Sequence, residues 1–189
     1  PEAVCRAIMR QVLDAYACIR SMGLVYTDLK AENVVFADDG SIRLCDASSF
    51  CEAGTAQAHQ VVMTTQFAPP ELACAPPGRR FGDEACLWQI GSLALDMFRA
   101  KPLMPTQRPS ARAAHACASP ERIYSRIARA PVAWRDTLSI LLNPKPAFRV
   151  LPFLGKCPFV RLKASKFSYG VSYTDCNALH GRLASAGAL

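Results

Sequence analysis

The chain has 189 residues, 51% of them apolar, a net charge of +7 and a pI near 9.1. That length and apolar share suit one domain with a buried core and argue against a disordered chain. No run of eighteen or more uncharged apolar residues occurs, so no membrane span is expected.

The basic balance would suit nucleic acid, an anionic surface or phosphate-bearing ligands. Lys and Arg are scattered from Arg6 to Arg182, however, with only short pairs such as Arg79-Arg80 and no basic run interleaved with aromatics. Nucleic acid is therefore not an expected partner. None of the nine cysteines has another at C-x-x-C spacing, which argues against sulfur-held metal and reads as scattered buried thiols rather than a full disulfide framework. The redox compartment stays open. The start, Pro1-Glu2-Ala3, has neither Met nor a cleavable leader pattern, so the chain is expected to be internal to a longer protein.

Val4, Ile8, Val12, Ala15, Tyr16 and Ile19 recur at three- and four-residue steps, which predicts an amphipathic helix over 3–22 stopped by Gly23. Val34-Val35-Phe36 and Ile42-Arg43-Leu44-Cys45 flank Asp38-Asp39-Gly40, and the Asp-Gly pair predicts a small antiparallel hairpin. Residues 46–71, rich in Ser, Thr, Ala and Gly, read as a long loop of the kind that is usually functional. From Asp83 to Arg99 apolar residues cover most of a helical circumference, predicting a helix buried nearly all round, at the core of the domain. Residues 100–120 read as a surface excursion, and Ile123, Ile127, Trp134, Leu138, Leu141 and Leu142 give helical spacing over 121–142. From about Ser165 the chain reads as an irregular tail.

The chemistry is concentrated in Val25-Tyr26-Thr27-Asp28-Leu29-Lys30-Ala31-Glu32-Asn33 and in Asp46 at the hairpin's exit. Phosphoryl transfer to a hydroxyl needs a carboxylate to orient the nucleophile, a cation against the moving phosphoryl group and oxygen ligands for Mg²⁺. Asp28 can accept the hydroxyl proton, Lys30 can neutralise phosphate charge, and Asn33 with Asp46 can hold metal if the hairpin returns Asp46 beside Asn33. Taken singly these are ordinary turn and surface residues; their order along the chain is what carries the reading.

Asp28-Leu29-Lys30-Ala31-Glu32-Asn33 resembles the D-L-K-x-x-N half of the protein-kinase catalytic loop. Asp46-Ala47-Ser48 falls at the place of the metal-binding D-F-G, Pro69-Pro70-Glu71 resembles A-P-E, and Trp88-Gln89-Ile90-Gly91 is similar to the W-S-x-G of the long central helix. The resemblance implies that Arg149 pairs with Glu71 and that Thr64 of the activation segment contacts the catalytic Asp and the substrate loop. It covers about residues 3–152. Within the family, Gly-Leu-Val-Tyr-Thr-Asp-Leu-Lys at 23–30 and Phe-Ala-Pro-Pro-Glu-Leu at 67–72 are similar to secreted rhoptry kinases of apicomplexan parasites.

Tyr26 and Thr27 replace the family's His and Arg, which removes the usual partner of a phosphorylated activation loop and makes phosphate switching doubtful. Ala47 and Ser48 replace Phe and Gly, and Cys86 stands where the central helix usually has a bracing Asp. No G-x-G-x-x-G and no V-A-I-K-like Lys is present.

The expected fold is therefore mainly α, a protein-kinase-like C-terminal lobe over 1–152 with the N-terminal lobe absent, a helical bundle with a small β-hairpin at the catalytic loop, and an irregular tail over 153–189. The expected activity is transfer of the γ-phosphoryl group of ATP, with Mg²⁺, to a Ser or Thr hydroxyl of a protein substrate once an N-lobe completes the site; the isolated chain is expected to be inactive. Asp28 serves as base, Lys30 as phosphate clamp, Asn33 and Asp46 as metal and nucleotide ligands, and Thr64, Glu71 and Arg149 as supports. The alternative is a pseudokinase scaffold that binds and regulates a protein partner. Secretion into a host cell follows if the rhoptry resemblance holds, a cytoplasmic location otherwise. His59, His115 and His180 read as surface residues, Trp88 and Trp134 as core, Ser48, Ser49 and Thr55 as solvated loop residues, and Cys45 as a buried thiol.

Overall fold

The computed structural model describes residues 2–150, except 56, 58–60, 74, 76–77, 99–103, 106, 108–109, 111–113 and 115. The predicted tail, all three histidines and most of the 100–120 excursion lie outside the described residues.

The first element, α1 (Glu2–Ser21), buries Met9, Val12, Leu13, Tyr16 and Ile19 along one stripe. Glu2 in its first turn and Arg20 in its last oppose the ends of the helix dipole. The helix closes with the Gly23 amide donating to the Arg20 carbonyl (3.0 Å), and Gly23 has φ +73°, which a side chain would strain. The chain then enters β1 (Leu24–Tyr26), buried at all three positions.

The predicted hairpin is present as β2 (Val34–Phe36) and β3 (Ile42–Leu44), antiparallel with Val35 opposite Arg43, turning through Gly40 at φ +79°. Gln11, buried on α1, fixes it to the helix: the Ile42 amide donates to Gln11 Oε1 (2.8 Å), and Gln11 Nε2 donates to the Gly40 carbonyl (3.3 Å). The 46–71 stretch is more ordered than its composition predicts. It contains β4 (Phe50–Glu52), which pairs antiparallel with β1 so that Tyr26 faces Phe50, their rings 4.8 Å apart. The segment ends in the short α2 (Pro70–Ala73).

The central helix, α3 (Asp83–Met97), buries ten residues, including Trp88, Gln89, Ile90 and Gly91. At Gly91 an added Cβ would meet Leu141 and Leu142 side-chain atoms at 2.9–3.0 Å, so glycine allows the end of one later helix to pack closely here. The single helical stretch predicted over 121–142 is two helices, α4 (Pro120–Ile127) and α5 (Val132–Leu141). Pro131 precedes α5, and its missing N–H and fixed φ suit a helix start rather than an interior. Both tryptophans lie in the core as predicted, with Trp134 edge-on to Phe98 at 4.9 Å.

Three side-chain expectations are corrected. Cys45 is exposed rather than buried, because it follows β3 on the solvent side. Ser49 is fully buried rather than solvated, because the turn into β4 brings it under the loop after β1. Among the described cysteines Cys86 alone is a buried free thiol, Cys5, Cys51 and Cys117 are half-buried, and Cys18 is disulfide-bonded. No helix among the described residues is long and apolar enough to cross a membrane.

Candidate functional site

The loop between β1 and β2 descends into the molecule and returns through a 3-10 turn over Ala31–Asn33. Thr27 and Asp28 are both 1% exposed, although each is polar. A carboxylate this deep is tolerable only when its oxygens are satisfied, and those of Asp28 are. Oδ1 accepts from the Thr64 amide (2.6 Å), and Oδ2 accepts from Lys30 Nζ (2.6 Å) and from Asn33 Nδ2 (3.4 Å). Lys30 Nζ also donates to Thr64 Oγ1 (2.8 Å). The structure thus gathers Asp28, Lys30, Asn33 and Thr64, brought from two separate segments, into one hydrogen-bonded group.

Asp46 reaches the same region through the backbone. The Cys45 amide donates to the Asn33 carbonyl (2.9 Å), which extends the β2–β3 pairing to the residue before Asp46. Asp46 has φ +67°, a left-handed conformation that Asp tolerates better than most side chains. Its exposed carboxylate accepts from Ser48 Oγ (2.5 Å) and the Ser48 amide (3.2 Å) on Oδ1, and from Ser49 Oγ (3.0 Å) on Oδ2. These bonds, Ser48 first, hold its pKa below the usual carboxylate range, and Lys30 lowers it further.

The supports around this group are neutral side chains. Tyr26 donates its hydroxyl to the Cys45 carbonyl (2.5 Å), and burial pushes that phenol's pKa upward. On α3 the buried Cys86 thiol donates to the Tyr26 carbonyl at 3.6 Å, a weak sulfur hydrogen bond, and burial raises its pKa to about 12, so it stays protonated. Gln89, one turn further along α3, carries the stronger bracing. Its Nε2 donates to the Thr27 carbonyl (2.8 Å), and its Oε1 accepts from the Leu29 amide (3.3 Å). Sequence reasoning missed Gln89; the signal was a residue with both a donor and an acceptor, in a buried helix, three positions after the altered brace.

Glu71 and Arg149 pair away from this group. Arg149 Nη1 and Nη2 donate to the two Glu71 carboxylate oxygens at 2.5 and 2.8 Å, and the guanidinium lies 4.8 Å from the Trp88 ring centre. The pair ties α2 to the end of the described chain. A nearby cavity of about 590 Å³, lined by Tyr16, Arg20, Asp83, Glu84 and Arg149 among others, includes none of Asp28, Lys30, Asn33 and Asp46.

Residues 1–157 match the family described as Protein kinase domain. The chain belongs to the protein kinase domain family. It is 28% identical to 3-phosphoinositide-dependent protein kinase 1 of Arabidopsis thaliana over 185 residues, 87% of this chain and 34% of that protein. It is 26% identical to the serine/threonine-protein kinase pakA of Talaromyces marneffei over 161 residues, 82% of this chain and 24% of the relative. The chain therefore spans about a third or less of the length of these relatives.

Protein kinase domains use ATP and typically Mg²⁺, and the donor set here suits a hard cation. Asp46 offers carboxylate oxygens at the surface, and the Asn33 amide nitrogen is spent on the Asp28 carbonyl (2.8 Å), which leaves the amide oxygen as the group's natural contribution to a metal. No cluster of three or more His, Cys, Asp or Glu able to hold a metal exists among the described residues. Such a site fits an ion that keeps waters and phosphate oxygens in its shell.

Proposed function

We propose that this chain carries the phosphoryl-transfer residues of a Ser/Thr-type protein kinase and forms the C-terminal lobe of its catalytic domain. The observation that supports it best is the bonded group of Asp28, Lys30, Asn33 and Thr64, drawn from two segments and buried at its carboxylate. In this reading a substrate hydroxyl replaces one of Asp28's present donors and passes its proton to the carboxylate as the new oxygen–phosphorus bond forms and the bond from Pγ to the β-γ bridging oxygen breaks. Lys30, already positioned between Asp28 and Thr64, holds the charge of the transferring group. Asn33 and Asp46 are the residues that would hold Mg²⁺, which supplies charge neutralisation of the phosphates when bound.

A regulatory scaffold without transfer is the second reading, favoured by one feature: both Asp46 oxygens are engaged by Ser48 and Ser49. The rhoptry-type strings, 23–30 and 67–72, carry the further proposal of a secreted kinase, and the Cys18 disulfide supports an oxidising compartment over the cytosol. The two functional readings separate in an assay of labelled phosphate incorporation by the full-length protein. Transfer that is abolished by Asp28→Ala supports the kinase; no transfer in the unaltered protein leaves the scaffold, and transfer that survives the substitution removes Asp28 as the base.

A further inference from the structure

Thr27 sits where the family's Arg would meet a phosphate, and the sequence alone presents it as a loss. The structure places its side chain at a junction. Thr27 is 1% exposed, and its backbone amide donates to the Ser49 carbonyl at 2.8 Å. Its hydroxyl lies 3.1 Å from that same carbonyl and 3.0 Å from the carbonyl of Val62. Ser49 is where the 46–71 segment leaves the site and Val62 is where it comes back, so one hydroxyl bridges the outgoing and returning limbs. Two residues past Val62, the Thr64 amide reaches Asp28 and its hydroxyl meets Lys30.

We propose that Thr27 is a positioning residue, a neutral staple that holds the returning limb of the 46–71 segment against Asp28 without any phosphate. The proposal deepens the kinase reading and rests on it for its functional meaning. An Arg at this position needs an anion to bind before it can order a loop, because an unpaired buried cation is costly. A hydroxyl needs only backbone carbonyls, which are always present. The returning limb is thus tied at two residues, Val62 by Thr27 and Thr64 by Asp28 and Lys30, and none of these ties requires a modification. A phosphate added to this segment finds no charge at Thr27 to bind.

The test is amide hydrogen exchange on the full-length protein, read at Thr64, whose amide is bonded to Asp28, and at Leu24 in β1 as a reference. Thr27→Val keeps the side-chain shape and removes the hydroxyl. It is expected to speed Thr64 exchange about tenfold, the size set by the loss of one hydroxyl–carbonyl hydrogen bond, with Leu24 unchanged. Thr27→Ser, which restores the hydroxyl, is expected to return Thr64 to the rate of the unaltered protein. Phosphatase treatment of the unaltered protein is expected to leave Thr64 exchange as it was. The proposal is overturned if Thr27→Val leaves Thr64 protected, if Thr64 and Leu24 accelerate together, if Thr27→Ser fails to rescue, or if phosphatase treatment frees Thr64. Should Thr27→Val not fold, the phosphatase comparison still decides. Exchange needs no turnover, so a protein that transfers no phosphate leaves this result standing.

Discussion

Replacing Glu71 by Ala strands a cation inside the protein. The Arg149 side chain is 0% exposed and that of Glu71 14%, so the guanidinium depends on protein partners for most of its hydrogen bonds. Arg149 keeps its bonds to the carbonyls of Asn143 (2.7 Å), Glu84 (3.1 Å) and Pro144 (3.4 Å), along with the Trp88 ring, but loses its only ion-pair partner among the described residues. Removing one partner of such a pair costs ~3–5 kcal/mol, a fifth or more of the ~5–15 kcal/mol that holds a typical domain together. Glu71→Gln should cost less, because its amide oxygen still accepts from one guanidinium nitrogen. Urea unfolding followed by Trp88 and Trp134 emission measures both, since the two rings are fully buried. A midpoint shift at constant m-value, larger for Ala than for Gln, is the expected result. A loss under ~1 kcal/mol for Glu71→Ala would refute the claim that this pair fastens α2 to the core.

Gln89→Leu keeps the volume and leaves the Thr27 carbonyl and the Leu29 amide without their partner; at ~1–3 kcal/mol for each stranded buried group, thermal unfolding should show a clear loss of stability, and an unchanged melting temperature would deny Gln89 its bracing role. For pH, the sign follows from Asp46: its folded pKa lies below the unfolded value, so its contribution is present at neutral pH and fades as acid passes down through the folded pKa. Ser48→Ala removes the largest cause of that depression, and a carboxyl NMR titration should place Asp46 higher than in the unaltered protein; an unmoved titration would contradict the assigned cause.

Local patterns made much of the fold legible. The α1 stripe, the Asp-Gly turn of the β2–β3 hairpin and the apolar circumference of α3 each depend on residues near in sequence, and each is where the pattern places it. What the sequence hid is non-local. β4 is a three-residue strand inside a polar stretch, and its partner β1 precedes it by more than twenty positions, so no periodicity could announce the pair. The split between α4 and α5 came down to Pro131 in a stretch whose apolar spacing continued across it.

The candidate group shows the same division. Asp28, Lys30 and Asn33 were readable from one short string, and Thr64 from its place before Glu71. The roles of Thr27 and Gln89 were not, because their partners are backbone carbonyls and an amide that every residue carries and no sequence marks. Cys86, which stands in place of an acidic brace, still meets the Tyr26 carbonyl through its thiol, and Gln89 one turn along the helix holds the next carbonyl of the loop.

The central claim is that the chain returns from the hairpin to set Asp46 beside Asn33 as oxygen donors for a divalent ion under a nucleotide's phosphates. Calorimetric titration of ATP into the full-length protein, with Mg²⁺ and with a chelator, tests it directly. The account predicts tighter binding with Mg²⁺ and loss of that gain in Asp46→Ala. A Mg²⁺ gain that persists undiminished in Asp46→Ala would contradict it.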